Sequence, residues 1–386
     1  MCYYLGNPIF ILALSGVEGF GGIDMVLKKL KFINFRNHRL RQFDFSQTTI
    51  IIGPNTVGKT NILEAIYILS RGKSFRAEHD KDTIREGTEF AQIEADIFSH
   101  PRGEKNLHLG GGQTEDRIKL KVIFSLQKGY LSKKFLVNGV ARRQYDFTSN
   151  FVSVLFTPHD IELITSSPSS RRRYIDSVLY QADKRYRTAL STYEKALKRR
   201  NRMLYDIKEG RKQYKSSDFE YFNKILIEQG SMLASKREEL VNFVNESIKN
   251  IFDFTLFYDK SEMSEARLMK YHFEEQKAGV TLVGPQRDDF KFYFPRTEKP
   301  IQEFGSRGEE RLTIFQLKVL EVNYLLRATS HTPVLLLDDI FSELDDTNIH
   351  KVFDLLPDQQ TILTTTHREF LPKKILNKQD VSTIEL

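Results

Sequence analysis

Gly53-Pro54-Asn55-Thr56-Val57-Gly58-Lys59-Thr60 has the form G-x-x-x-x-G-K-[ST], and its neighbours come in the order a phosphate-binding loop needs. Upstream, Thr48-Thr49-Ile50-Ile51-Ile52 is short, β-branched and apolar, so it reads as a buried strand. Downstream, the stretch from Asn61 to Leu69 has the apolar spacing of a helix. A glycine loop between strand and helix offers unpaired backbone N–H groups, and the helix start adds its positive dipole end. Lys59 is expected to reach the β- and γ-phosphates, and the Thr60 hydroxyl to ligate Mg2+. The stretch predicts a nucleotide site.

Working outward, the 386 residues are 40% hydrophobic and 28% charged, which suits two or three globular domains. A net charge of +7 favours an anionic partner. The single cysteine, Cys2, excludes a disulfide framework and a cysteine-rich zinc site. It is compatible with a reducing cytosol, and a cytoplasmic protein is expected. No apolar run approaches the length of a membrane span. Residues 1–24 differ from the rest. Pro8 to Leu14 is apolar but lacks the basic start of a signal peptide, and a cleaner pattern opens at Met25. A non-native or disordered extension is expected there, with translation starting at Met25.

Residues 26–45 read as two strands around a turn at Asn37-His38, and further strands are expected at 90–98, 118–126, 133–137 and 152–156. Gly110-Gly111-Gly112 and Asn138-Gly139 read as turns. Ser167 followed by Pro168 marks a helix start, and helix is expected to about 252 with breaks near Gly210 and Ser216-Ser217. Strands resume at 252–258, 279–283 and 290–294, a helix runs from Gly308 to Ala328, and Thr361–Thr366 is expected as the last strand. The domain reading is an N-terminal ATPase part at 25–160, a helical arm at 161–275 and a C-terminal ATPase part at 276–386.

Between 171 and 215 there are 15 Lys and Arg against five acids, a surplus larger than that of the whole chain. Such a run is often a solvated face. Here Tyr180, Tyr186, Tyr193 and Tyr205 are interleaved, which favours a nucleic-acid surface, and Lys198, Arg199, Arg200 and Arg202 are the expected phosphate contacts. Arg171, Arg172 and Arg173 instead stand in the first turn of a helix, where the dipole disfavours cations, so each needs an anionic partner.

Distant motifs narrow the class. Val334-Leu335-Leu336-Leu337-Asp338-Asp339 is a buried strand ending in two acids: Asp338 can hold the Mg2+ bound by Thr60, and Asp339 can orient or deprotonate a water. Ser306-Arg307-Gly308-Glu309-Glu310 opens a helix and resembles the signature motif of ATP-binding-cassette ATPases, in which it contacts the ATP held by the other protomer. Ser342-Glu343-Leu344-Asp345 sits where that family has its D-loop, and His367 where it has a switch histidine. The expected catalytic set is thus Lys59, Asp338, Asp339 and His367.

The chain then resembles the RecF family of bacterial recombination mediators. The resemblance rests on Leu30 to Asn37, Gly58 to Ile66, Lys73-Ser74-Phe75-Arg76, Ser167 to Asp176, Leu197 to Asn201, Gly284-Pro285-Gln286-Arg287-Asp288-Asp289, and Leu335 to Asp345. Thr56 departs from a common glycine, Gln286 from a frequent histidine, and His367 is not usual in that family. The resemblance implies an α/β fold: an ABC-type ATPase head, that is a P-loop NTPase with a mixed sheet and flanking helices, carrying a short inserted helical arm. Arg36 and Asn61 join the loop residues as ATP contacts. It also implies weak, DNA-stimulated ATP hydrolysis used as a switch and an ATP-dependent homodimer on duplex DNA and single-strand gap junctions. RecA loading with RecR and RecO, within DNA repair, replication and the SOS response, completes the picture. Another short-armed ABC/SMC-type ATPase acting on DNA is the alternative. A transporter ATPase would share the motifs but not the basic arm. A long-armed chromosome ATPase would need sustained heptads between Lys59 and Ser306.

Overall fold

Two hydrophobic patterns in the chain build two different sheets. Unbroken apolar runs must be buried on both faces, whereas alternating runs can leave one face in water. The computed structural model describes residues 23–101, 116–340, 359–366, 369 and 380–386. Strands β1 (Ile23–Phe35), β2 (His38–Asp44) and β3 (Thr48–Ile52) lead into helix α1 (Lys59–Arg71), followed by β4 (Phe90–Pro101), β5 (Asp116–Gln127), β6 (Tyr130–Val137), β7 (Val140–Arg142) and β8 (Ser153–Phe156). Helices α2 (Pro168–Ala182), α3 (Lys184–Lys208) and α4 (Ser217–Glu246) precede β9 (Thr255–Asp259) and β10 (Asp289–Tyr293). Helix α5 (Arg307–Thr329), β11 (His331–Thr332), β12 (Val334–Asp338), β13 (Thr361–Thr365) and β14 (Val381–Glu385) complete the described chain.

The buried runs β3, β13, β12 and β8 form one parallel sheet, with the half-exposed β14 on its edge, in the order β14-β3-β13-β12-β8. The alternating strands β1, β4, β5 and β6 pair antiparallel in a second sheet, with β2 on β1 and β7 on β6. Its outer face carries charge ladders: Lys119 and Lys121 of β5 reach Glu94 of β4 at 3.0 and 2.6 Å. Helix α1 lies between the sheets. Ile62, Leu63, Ile66 and Leu69 share one core with Leu30, Phe32, Ile93 and Val122 of the outer sheet and Ile51, Leu336 and Ile362 of the parallel one. The other face of the parallel sheet, through Ile50, Leu335, Leu337 and Leu363, belongs to a second core with α2 to α5.

The elements depart from expectation in a few places. Ile23 and Asp24, assigned to the extension, are already strand and pair with His331-Thr332 and Pro101-His100; residues 1–22 lie outside the described residues. The Gly110 turn lies outside them too. Gly279–Val283 is not a strand: Gly279 terminates a helix at φ 75°. The Thr281 and Leu282 N–H groups are taken by the side chains of Asn201 and Glu275 rather than by a neighbouring strand. The last strand is β14, which adds to the edge of β3. Ser167 precedes α2 as expected, yet its hydroxyl meets Ser169 at 2.7 Å and caps no N–H group.

Buried ion pairs brace α2, α3 and α4. Arg171 is bidentate to Asp289 at 2.7 and 3.0 Å and Arg172 donates to the Asp288 carbonyl at 2.6 Å, so two of the three first-turn cations are engaged inside the protein. Arg173 donates to the Ser170 hydroxyl at 3.2 Å, in an exposed contact. Arg237 of α4 joins Asp176 of α2 to Asp288, both at 2.7 Å. Arg200 corrects the sequence reading. It is 4% exposed and donates to Asn223, Thr281 and Glu275, so its guanidinium is spent within the fold and meets no phosphate. Lys198, Arg199 and Arg202 are exposed. Replacing Arg200 by alanine leaves the Glu275 charge buried and alone, and should lower stability by about 3–5 kcal/mol in chemical denaturation. Lys198→Ala should stay within about 0.5 kcal/mol of the parent, and equal effects would contradict this assignment.

Candidate functional site

In a parallel sheet every strand delivers its C-terminal end to one edge, which is where ligands bind in open α/β folds. Here β3 ends in the glycine loop and β12 ends in Asp338, with β13 between them. Their side chains meet. The Thr60 hydroxyl donates to Asp338 Oδ1 at 3.1 Å, and Thr364, at the end of β13, donates to the same oxygen at 2.8 Å. Lys59 Nζ donates to the Gly53 and Pro54 carbonyls at 2.7 and 2.9 Å, so its ammonium is folded back over the loop.

The loop conformation explains its residue types. Gly58 has φ 107°, and a Cβ there would come 2.4 Å from His38 Nε2, so both conformation and space require glycine. Thr56, the departure from a common glycine, also lies at positive φ, 75°, where a β-branched residue is strained by about 1 kcal/mol or more. Asp339 has φ 48°, a conformation aspartate tolerates better, and its N–H donates to Thr364 Oγ1 at 3.0 Å.

Electrostatically the site is poised for a cation and an anion together. Burial pushes the Asp338 carboxyl above its usual range, the Thr364 and Thr60 hydroxyls pull it back, and Asp339 raises it again. Burial lowers the Lys59 ammonium, while Asp339 and Asp338 act in the opposite direction. Two hard oxygens, Thr60 Oγ1 and Asp338 Oδ1, thus face each other beside an incompletely compensated carboxylate. This donor set fits a magnesium ion, which takes one or two protein oxygens and fills its shell with phosphate and water.

The surrounding cleft, about 1420 Å³, is lined by Asn55, Thr56, Gly58, Lys59, Thr60 and Asn61 with Arg36, Arg76, Asp338 and Asp339. Asn61 Nδ2 donates to Asn37 at 2.7 Å, tying the first helical turn to the β1–β2 turn. Gly53 packs against Leu386 and Val57, behind the loop. Val57 and Pro54 contribute carbonyls, to Asn37 at 3.4 Å and to Lys59. Ser306, Arg307, Gly308 and Glu309 are not part of this cleft. They start α5 with exposed Ser306, Arg307 and Gly308, and Ser306 and Glu309 form a reciprocal capping box that lowers the Glu309 carboxyl. His367 and the Ser342–Asp345 stretch lie outside the described residues.

Sequence reasoning missed the middle of the site. Thr364 had a signal, polar residues closing an otherwise apolar buried strand. Glu64 had none, since an acid in a helix ordinarily faces water. It is instead wholly buried at the back of the cleft, where Arg36 grips it at 2.9 and 2.5 Å. A second buried set, Lys318 with Asp160 at 3.2 Å and Glu321 with Arg71 at 3.1 Å, also lines the cleft.

Fold and cleft define an ATPase head of the ABC/SMC type. The family model for the RecF/RecN/SMC N-terminal domain matches residues 26–383. The DNA replication and repair protein RecF of Agathobacter rectalis is 34% identical over 357 residues, covering 89% of this chain and 92% of its own. That of Bacillus cereus is 30% identical over 385 residues, covering 94% and 97%. A solved structure of the recombination mediator protein RecF with ATP, from the RecFOR pathway, superposes with a TM-score of 0.78 at 29% identity, covering 90% of this chain and 94% of that one. The chain belongs to the RecF family of DNA replication and repair proteins.

An ionised carboxylate whose folded pKa is raised works against folding. Its stability contribution falls as pH rises from the unfolded value through the raised folded one, so at neutral pH Asp338 is a net cost. Asp338→Asn keeps an acceptor for Thr60 and Thr364 and removes the charge. It should melt no lower than the parent without nucleotide at pH 7.5, and lose the Mg2+ dependence of nucleotide binding. A clear drop in melting temperature would show that the carboxylate serves folding.

Proposed function

We propose that this chain is an ATP-gated DNA-binding protein of recombinational repair, which pairs with a second copy across two bound ATP molecules and helps RecR and RecO load RecA at single-strand gaps. The observation that carries the reading is that the sequence's two nucleotide motifs do not share one cleft. The glycine loop, Lys59, Thr60 and Asp338 meet in one cleft, while the Ser306 helix start is exposed away from it. Two copies facing each other let Ser306 and the N–H groups of one reach the γ-phosphate held by the other. A solved RecF relative 29% identical to this chain carries ATP, which supports nucleotide binding.

In this reading Lys59 leaves the Gly53 and Pro54 carbonyls for the β- and γ-phosphates, Arg36 and Asn61 border the nucleotide, and Thr60 and Asp338 hold Mg2+. Asp339 orients the attacking water and accepts its proton; being one methylene shorter than glutamate, it holds that water loosely, and turnover is slow. The head, 25–160 with 276–386, carries the chemistry, and the arm, 161–275, presents Lys198, Arg199 and Arg202 to duplex phosphates.

Sedimentation with and without ATP tests the dimer. The parent should pair only with ATP, Ser306→Arg should bind ATP and stay single, Lys59→Ala should lose binding, and Asp339→Asn should accumulate the ATP-bound pair. A Ser306→Arg chain that still pairs contradicts the composite site. For DNA, the double variant Lys198→Ala, Arg199→Ala should flatten the slope of log K against log salt by about 0.9 per lost contact, whatever the duplex sequence. An unchanged slope returns this face to a solvated helix surface.

A further inference from the structure

Arg71 and Glu321 meet in the cleft, and their contact joins the phosphate-loop helix to the helix that opens at Ser306. Arg71 is the last residue of α1 and is 4% exposed. Its guanidinium donates to Glu321 Oε1 at 3.1 Å and to the Ser177 carbonyl of α2. Glu321 belongs to α5 and is as deeply buried. Its other oxygen accepts from the Tyr174 hydroxyl of α2 at 3.0 Å and lies 3.5 Å from Lys318 Nζ. Lys318, one turn earlier on α5, donates to the Leu155 carbonyl of β8 at 2.8 Å and pairs with Asp160 at 3.2 Å. Arg71, Tyr174, Lys318 and Glu321 line the same cleft as Lys59, Thr60 and Asp338.

The network is balanced, with Arg71 and Lys318 against Asp160 and Glu321. Burial disfavours the Lys318 ammonium, yet Asp160 and Glu321 outweigh it and hold the charge. Buried charges in such a set are costly to pull apart, because each one left without its partner meets no water. The grip also falls far from the start of α5. That helix runs unbroken from Arg307 to Thr329, and Glu321 stands 15 residues beyond Ser306. At about 1.5 Å per residue this is a lever of about 22 Å, so a tilt of about 5° at Glu321 carries Ser306 about 2 Å. A hydrogen bond to phosphate has a tolerance of only a few tenths of an ångström. Where Ser306 points is therefore decided by how Glu321 is held.

We propose that Glu321 is a positioning residue for pairing: through Arg71 it fixes the direction of α5 against the phosphate-loop helix, and so sets where Ser306 is offered to a second copy. Glu321 acts through Ser306 and not on the nucleotide of its own cleft, so it governs pairing and leaves ATP affinity alone. This inference rests on the reading that Ser306 serves the ATP held by another copy. No covalent bond is made or broken.

The test separates pairing from ATP affinity in Glu321→Gln, Arg71→Met and the double variant, on the full chain with Mg2+. Sedimentation with ATP gives the pairing. Calorimetry in the Ser306→Arg background, where copies stay single, gives the ATP affinity. Each single variant should weaken pairing about tenfold, the scale of one charge-assisted contact, and keep ATP affinity within about twofold. The double variant should pair no worse than either alone, because both residues act through one contact. Arg71→Met leaves Glu321 with Lys318 and Tyr174, so it should fold even where Glu321→Gln does not, and it then decides the matter by itself. Variants that melt lower but pair as the parent does show a contact that serves folding only, which overturns the proposal. An equal loss of pairing and ATP affinity overturns it too, since the network would then shape the nucleotide site. Ser306→Arg separates the two readings. If it pairs with ATP, the composite site is wrong. If it stays single while Glu321→Gln and Arg71→Met pair like the parent, only the role of Glu321 fails.

Discussion

The hydrogen bond from Thr60 to Asp338 joins residues 278 apart in sequence, and it marks where the glycine loop meets the acid-ended strand. Nothing local brings those side chains together. Their meeting depends on β3 and β12 lying parallel on either side of β13, with ends level enough for Thr364 to touch the same carboxylate oxygen. A slip of one residue in either pairing would turn Asp338 to the opposite face of the sheet. The apolar residues of these strands, buried against α1 on one side and α2 to α5 on the other, fix that register. The carboxylate so placed is poorly compensated, which is what a cation site requires and what folding alone would not select.

Helices α2 to α4 follow a different logic. Beside the apolar core they share with the parallel sheet, α2 and α4 reach the Gly284 to Asp289 turn through charges, Arg171 to Asp289 and Arg237 to Asp288, while Arg237 with Asp176 and Arg200 with Glu275 pair helical segments with one another. Removing charges from water is expensive, and each pair must be met in full geometry to offset that cost. Arg237 meets the condition, since Asp288 also accepts from Tyr258 at 2.5 Å and from the Ser261 N–H at 2.8 Å. Gln286, the second departure from the family pattern, accepts from Tyr193 of α3 and so binds the same turn to the arm. The Gly284 to Asp289 turn therefore ties α2, α3 and α4 to the start of β10.

What could be read from the sequence follows from these two logics. The glycine loop, the acid-ended strand and the helix opening at Ser306 each have a local pattern, and each element stands where it was expected. Arg200 could not be told from Lys198 and Arg199 by type or spacing, because burial depends on Thr281 and Glu275, which come from a segment some 75 to 81 residues later. Gly279–Val283 looked like a strand because β-branched residues dominate it; side-chain acceptors took its N–H groups instead. Glu64 was invisible for the converse reason, an acid on a helix that faces inward. Local propensity reports on elements, whereas the partners of buried charges are set by the tertiary fold.

The central claim is that one chain supplies two halves of two nucleotide sites, and mixing two defective chains tests it most directly. Lys59→Ala has an intact signature and a dead phosphate loop, and Ser306→Arg has the opposite. The account predicts that each alone sediments as a single copy with ATP, while the equimolar mixture forms a pair with one restored composite site. A mixture that stays single, or a variant that pairs alone with ATP, would contradict it.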